Sequence, residues 1–267
     1  MDAPADAAWL GAMRRARWRR RLLPLLGGGI LLFTWWAVVA GLHVRPFIAP
    51  SPWVVAQTLA AKWAMLLQNL LPTAIESVLG FLLGNLAALL IAVAFVHKKT
   101  LEATFFPVAV LINAIPVVAK APILLLLLGN GLAPKIAIAA LICFFPTLVN
   151  MVRGLEAVSP QAMELMHVLS ATRWEVFWKL RLFASLPFLF SALRISASTA
   201  VVGAIVGEWI GSQVGIGALI VQATYNFDSA LLYATVCVGS CFSVGFFMLI
   251  TLAERLCVRW QPEVTRH

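Results

Sequence analysis

Residues 71 to 96 read LPTAIESVLGFLLGNLAALLIAVAFV, a stretch in which Glu76 is the one charged side chain. A run of this length exceeds the ~20 residues that a helix needs to cross a hydrocarbon core of ~30 Å. No water is present there, so every backbone N–H and C=O must be satisfied inside the segment, and a helix does this without a neighbour. Five further runs have the same character, at 22 to 41, 104 to 128, 135 to 153, 186 to 210 and 230 to 252. The chain is therefore expected to be an all-α membrane protein with six transmembrane helices. Its 267 residues are 62% hydrophobic and 12% charged, too little polar surface to close a soluble globule. The strict alternation of a membrane barrel strand is absent.

Charge sets the expected orientation. Arg14, Arg15, Arg17, Arg19, Arg20 and Arg21 precede the first run, and cytoplasmic flanks are the ones that collect Lys and Arg. With that end inside, the inner segments also hold Lys98, Lys99, Arg153, Arg173, Lys179, Arg181, Arg255, Arg259 and Arg266, with Arg194 just within a span. The outer segments hold only Arg45, Lys62 and Lys135. Both termini are thus expected in the cytoplasm. This gives a basic tail at 1–21, a transmembrane domain at 22–255 with a cytoplasmic excursion at 154–185, and a second tail at 256–267. The net charge of +9 follows from these flanks, so nucleic-acid binding is not indicated. The first run, at about 20 residues, is longer than the ~7 to 15 residue core of a signal peptide and reads as a retained helix. Cys143, Cys237, Cys241 and Cys257 form no CxxC, and His43, His97, His167 and His267 are dispersed, so no metal site is expected.

The polar and helix-breaking residues inside the spans are the candidates for function. The third span carries Pro107, Pro116 and Pro122, which remove backbone donors and should bend or break it. Loosened backbone is tolerated only against protein or a water-filled cavity, so this span is expected to face the interior. Lys120 within it costs about 2.5 to 3.5 kcal/mol at a helix centre. It either snorkels to the outer interface or lines a pathway. Asn113, Pro116, Lys120 and Glu208 are the pathway candidates, Glu208 because its neighbours in VVGAIVGEWIGS are small. Glu76 and Asn85 are read as helix-to-helix hydrogen bonding. Between the first two spans, APSPWVVAQTLAAKWAMLLQN suggests an outer amphipathic helix with Val54, Val55, Leu59, Trp63, Leu66 and Leu67 on one side, anchored by Trp53 and Trp63.

The excursion MELMHVLSATRWEVFWKLRLFASLP is too long for a simple connection. Ser159-Pro160 is a helix start, a serine cap followed by a proline that needs no N–H. A short helix from Pro160 to about Leu169 follows. Thr172 and Glu175 match a capping box, which starts a second helix at about Arg173 after a turn at 169–171. Met163, Leu165, Met166 and Leu169 then present an adaptable apolar face suited to docking another protein.

With Glu164, Leu165 and Met166 at its opening, Ser170 where a glycine is usual, and Leu186-Pro187 at its end, this stretch resembles the EAA loop of ABC importer permeases. PSP at 50 to 52, GNGLAPK at 129 to 135 and VGIGALI at 214 to 220 extend the likeness. Over residues 50 to 255 the chain resembles the permease subunits of bacterial binding-protein-dependent ABC importers, in the branch for nitrate, sulfonate, taurine and pyrimidine precursors. The resemblance implies a type I importer permease fold in the bacterial inner membrane. It also implies that Glu164, Leu165, Met166, His167, Leu169, Ser170 and Ala171 couple to a separate ATPase. The implied partners are two cytoplasmic ATP-binding subunits, a second permease chain forming a homodimer, and a periplasmic or lipid-anchored solute-binding protein. ATP would be used by the partner, since this chain has no GxxxxGK[ST] loop and no cofactor motif.

Two readings from other classes compete. A proton-coupled secondary transporter would use Glu76 or Glu208 with Lys120, but no inverted repeat is visible. An intramembrane enzyme would need paired catalytic groups, and neither a serine–histidine set nor HExxH occurs.

Overall fold

A computed structural model of the chain describes residues 22, 23 and 26–258, so the basic tail at 1–21 and most of the second tail lie outside the described residues. All described regular structure is helical. The helices are α1 (Leu26–Gly41), α2 (Pro52–Ala61), α3 (Trp63–His97), α4 (Lys99–Ala114), α5 (Val117–Leu128), α6 (Leu132–Glu156), α7 (Pro160–Val168), α8 (Arg173–Val176), α9 (Leu182–Glu208), α10 (Ile216–Tyr225) and α11 (Ser229–Cys257). A π-helical turn, Phe177–Arg181, joins α8 to α9, so the helix runs unbroken for 36 residues from Arg173 to Glu208.

The chain divides into two compact units. One contains α1, α2 and residues 223–234. Ser51 caps α2, its hydroxyl accepting from Val54 N at 3.4 Å, and Pro52 fills the first helical position. Lys62, where α2 ends, donates to Asp228 Oδ2 at 2.8 Å, while Asp228 Oδ1 accepts from Leu231 N at 3.0 Å at the start of α11. Those contacts hold the Asp228 carboxyl below its usual range, the Lys62 hydrogen bond being the largest cause. Trp35 stacks on Tyr233 with ring centroids 5.5 Å apart.

The other unit is built on α3, α6 and α9. Along α3 and α6 the matched pairs advance together: Glu76 with Lys135, Gly80 with Ala139, Asn85 with Thr147. The two helices are therefore parallel, and the chain between them must return from the His97 end to the Trp63 end. Only α4 and α5 are available for this. They are bent by 100° at Ile115–Pro116, and at ~1.5 Å per residue their joint reach is about 27 Å, close to the thickness of a hydrocarbon core. The bent pair thus carries the chain back across. α9 runs antiparallel to α6, pairing Gly203 with Ala139 and Phe188 with Gly154, and α11 runs antiparallel to α9 through Arg194–Glu254 at 2.8 Å.

Close approach and buried polar groups hold this bundle. A Cβ on Gly84 would lie 2.3 Å from the Ala140 carbonyl oxygen, so only glycine lets α3 and α6 meet there. Thr147 donates to Asn85 Oδ1 at 2.5 Å and lies 3.1 Å from Ser196 Oγ, which ties α3, α6 and α9 at one level. Asn85 has the helix-to-helix role expected of it. Apolar packing flanks this level, with Ala88, Phe95, Leu148, Met151, Leu155 and Phe177 toward the His97 end and Phe81, Cys143, Val201 and Phe246 on the other side.

Several expectations change. The outer amphipathic helix ends at Ala61, and Trp63, Leu66 and Leu67 belong to α3, which starts eight residues before the expected span. Of the three prolines in the third span, Pro116 alone breaks the helix: Ile115 before it is extended (φ −68°, ψ 125°), as the clash with a proline ring requires. Pro107 and Pro122 sit within α4 and α5. This span does not face the interior of the chain, because α4 buries no residue and α5 buries only Ala121. The second helix of the excursion runs on without a break into the helix of the fifth span, since no breaker separates them. Four described helices are long and apolar enough to cross a membrane, and the bent pair makes five, against the six expected.

Candidate functional site

The excursion begins where α6 ends. Ser159 Oγ accepts from Ala162 N at 3.3 Å, and Pro160 opens α7. The helix closes on Ser170, whose φ is +53°. Ala171 N donates to Met166 O and Ser170 N to His167 O, both at 2.9 Å, a pattern of six-to-one and five-to-two bonds in which a left-handed residue satisfies the last carbonyls. Glycine is the usual residue at such a position, and serine holds it here. Two residues on, Thr172 N donates to Glu175 Oε2 at 2.9 Å and Glu175 N to Thr172 Oγ1 at 3.3 Å, the reciprocal box that the sequence predicts. The Glu175 carboxyl is held below its usual range, chiefly by the Thr172 N–H and then by the Thr172 hydroxyl and Lys179.

α7 has two faces. Leu165, Val168 and Leu169 stand out, with 59%, 81% and 65% of their surface exposed, and Glu164 is exposed beside them. Met163, Met166 and Ala171 are half-buried instead, against a cavity of about 280 Å³ that His97, His167, Arg173 and Arg181 also line. Phe177 forms part of its wall and is buried against the ends of α3 and α6. His97 packs against both Trp174 and Phe177, with ring centroids 5.4 and 5.1 Å away, and its Nδ1 lies 2.8 Å from Val93 O. The expected coupling residues thus divide: Glu164, Leu165, Leu169 and Ser170 are exposed, Met166 and Ala171 are half-buried against the cavity, and His167 is exposed at its edge. Val168 is the residue that sequence reasoning missed, although its spacing from Leu165 and Leu169 puts it on their side of the helix.

The pathway candidates do not converge. Asn113 and Pro116 are exposed at the α4–α5 break, and Lys120 is half-buried one turn beyond. Glu208, the last residue of α9, is 1% exposed, and its carboxylate reaches the start of α10. Its Oε1 accepts from Thr73 Oγ1 and its Oε2 from Gly217 N, each at 2.6 Å. Ile216 N donates to Thr73 Oγ1 at 2.8 Å, and Gly215 N to Asn69 Oδ1 at 3.0 Å. Side chains of α3 and α9 therefore satisfy the amides at the beginning of α10, which have no partner within that helix. Gly215, at φ +115°, is required: a Cβ there would lie 2.0 Å from Glu208 Oε1. Beside this, Lys135 Nζ sits 3.0 Å from Glu76 Oε1 as an ion pair while its hydrogen bond goes to Ser212 Oγ at 2.8 Å. Lys135, expected in an outer aqueous segment, is instead buried in α6. Among the described residues no group of His, Cys, Asp and Glu is arranged to hold a metal ion.

Residues 80–260 match the family described as the binding-protein-dependent transport system inner membrane component. A probable ABC transporter permease protein of Haemophilus influenzae is 36% identical over 232 residues, covering 86% of this chain and 94% of that one. The riboflavin transport system permease protein RibX of Chloroflexus aurantiacus is 34% identical over 252 residues, 94% of each chain. The formylaminopyrimidine transport permease protein ThiX of Halalkalibacterium halodurans is 29% identical over 235 residues, covering 88% and 94%. Among solved structures, a chain of the MetNI methionine ABC transporter in inward-facing conformations aligns with a TM-score of 0.52 at 20% identity, covering 79% of this chain and 97% of that one, a likeness of fold. The chain belongs to this family of binding-protein-dependent ABC importer permeases, in the branch that includes the sulfonate and taurine permeases. It is a transport subunit of a multi-pass inner-membrane system.

Proposed function

We propose that this chain is the membrane-spanning subunit through which a separate cytoplasmic ATPase drives import of a small solute, and that α7 is the part the ATPase grips. The observation that carries this reading is the outward face of Glu164, Leu165, Val168 and Leu169, held in a doubly capped excursion between two long helices. Apolar side chains this exposed on a short ordered helix suit a protein partner. Because α8 and α9 are one helix, a push on α7 reaches the bundle core through a single turn at Ser170.

In this reading the spans number six, with α1 as the first, and both termini are cytoplasmic. Two ATPases serve two copies of this chain, and ATP is consumed by those partners without a cofactor on this chain. The exposed faces of α4 and α5, with Leu111, Leu126 and Leu127, are available to the second copy or to lipid. Asn113, Pro116 and Lys120 at the break supply polar groups and loosened backbone for the pathway, and Glu208 acts by holding α10. A periplasmic or lipid-anchored binding protein delivers the solute. The relatives named for riboflavin, formylaminopyrimidine, sulfonates and taurine suggest a small heterocycle or organic anion.

The test is reconstitution with the ATPase and binding protein into vesicles. Glu164→Lys and Leu169→Arg should abolish ATP-driven uptake while membrane insertion stays normal. Normal uptake and normal copurification of the ATPase with both variants would overturn the reading.

A further inference from the structure

The cavity behind α7 has a chemistry that docking an ATPase does not use. Four of its lining side chains are basic, His97, His167, Arg173 and Arg181, and among the described residues no carboxylate lines it. Of the two acids adjacent in sequence to lining residues, Glu175 is engaged by Thr172 and Lys179 and Glu164 is exposed. Met163, Met166, Val176 and Phe177 line it too, so its wall combines basic and apolar side chains. Its volume of about 280 Å³ is just under the ~300 Å³ at which sites for whole small molecules begin, which suits a headgroup and excludes a complete lipid.

Its position supplies the second argument. The cavity lies where α3 ends and α9 begins, at the end of the bundle that carries Lys98, Lys99 and Arg153. Trp174 and Trp178 flank it on the same helix, 63% and 57% exposed. Exposed tryptophans at the ends of membrane helices mark the headgroup level. Guanidinium groups at that level pair with phosphate oxygens, and basic pockets between membrane helices take anionic headgroups.

We propose that this cavity binds the phosphate headgroup of an anionic phospholipid, with Arg173 and Arg181 as its principal contacts and the acyl chains left in the bilayer. The site does not depend on whether α7 docks an ATPase, and its test needs no transport. Free phosphate shares the chemistry, so both sources are measured. The full chain, purified in detergent, is titrated with phosphatidylglycerol, phosphatidylcholine and inorganic phosphate, and retained lipid is read by native mass spectrometry. Phosphatidylglycerol should bind in preference to phosphatidylcholine, and the double variant Arg173→Gln, Arg181→Gln should bind it on the order of tenfold more weakly. Met166→Trp, which fills the cavity and leaves every charge in place, should lose the binding as well. Lys179→Gln, which removes a cation from the same helix outside the cavity, should bind as the parent does. Undiminished binding by either the double variant or Met166→Trp would overturn the proposal. So would an equal loss in Lys179→Gln, which would mean a diffuse basic surface, or full displacement of the lipid by inorganic phosphate.

Discussion

Ser170 is where the sequence posed a sharp question and the backbone answers it. A left-handed serine costs about 1 to 2 kcal/mol, and glycine would remove this while losing about 0.5 to 1 kcal/mol of chain entropy. Ser170→Gly should therefore stabilise the α7 turn by roughly 0.5 to 1 kcal/mol, read as slower exchange of the Ala171 amide. Ser170→Val, β-branched, should speed that exchange. Glu175 gives a pH prediction. Its carboxyl is depressed in the folded chain, so its capping contribution is fully present above the unfolded value and is lost as pH falls through the lower folded value. Exchange protection of the Thr172 and Glu175 amides should hold at neutral pH and decline only in acid below the ordinary glutamate range. Loss of that protection already at pH 6 would contradict this. The Ser159 and Thr172–Glu175 caps were legible beforehand because a cap is local chemistry, whereas the left-handed backbone of Ser170 was not. Lys135 was not legible, because its partner Glu76 lies 59 positions away and only helix packing brings them together.

At the scale of elements, apolar length located five of the expected spans as long apolar helices or a bent pair, although α3 starts eight residues early and the helix of the fifth span thirteen. It could not distinguish a helix that merely contains a proline from one that a proline breaks. Pro107, Pro116 and Pro122 look alike in sequence, and only Pro116 breaks its helix. Nor could it assign α10, a ten-residue apolar helix whose first amides are satisfied by Asn69, Thr73 and Glu208. Close helix contact, in turn, rests on small residues whose function shows only in the packed state. Gly84→Leu should force α3 and α6 apart at Ala140, where even a Cβ has no room. The expected loss is about 1 to 3 kcal/mol or more, seen as a lower melting temperature of the purified chain. Gly245→Leu, with nothing within 4 Å of its Cβ position, should change it far less.

For the whole molecule, the decisive question is which end of the bundle faces the cytoplasm. Parallel α3 and α6, with α9 antiparallel, put His97, Glu156 and Arg173 at one end and Trp63, Leu132 and Glu208 at the other. Lys98, Lys99, Arg153, Arg173, Lys179, Arg181 and Arg255 gather at the first end. At the second, Lys135 is buried against Glu76. Single cysteines placed at Ser170 and at Gln213 in a background without native cysteines should therefore report opposite sides. An impermeant maleimide added to intact cells should label Gln213→Cys, in the exposed loop before α10, and should label Ser170→Cys only after the membrane is opened. A cysteine at Lys98 should behave as Ser170→Cys does, because α4 and α5 begin on that side and carry the chain away from it. Labelling of Ser170→Cys from outside would invert the bundle and take α7 out of reach of any cytoplasmic ATPase. Labelling of Gln213→Cys and Lys98→Cys from the same side would instead break the parallel pairing of α3 with α6, and with it the bent crossing between them.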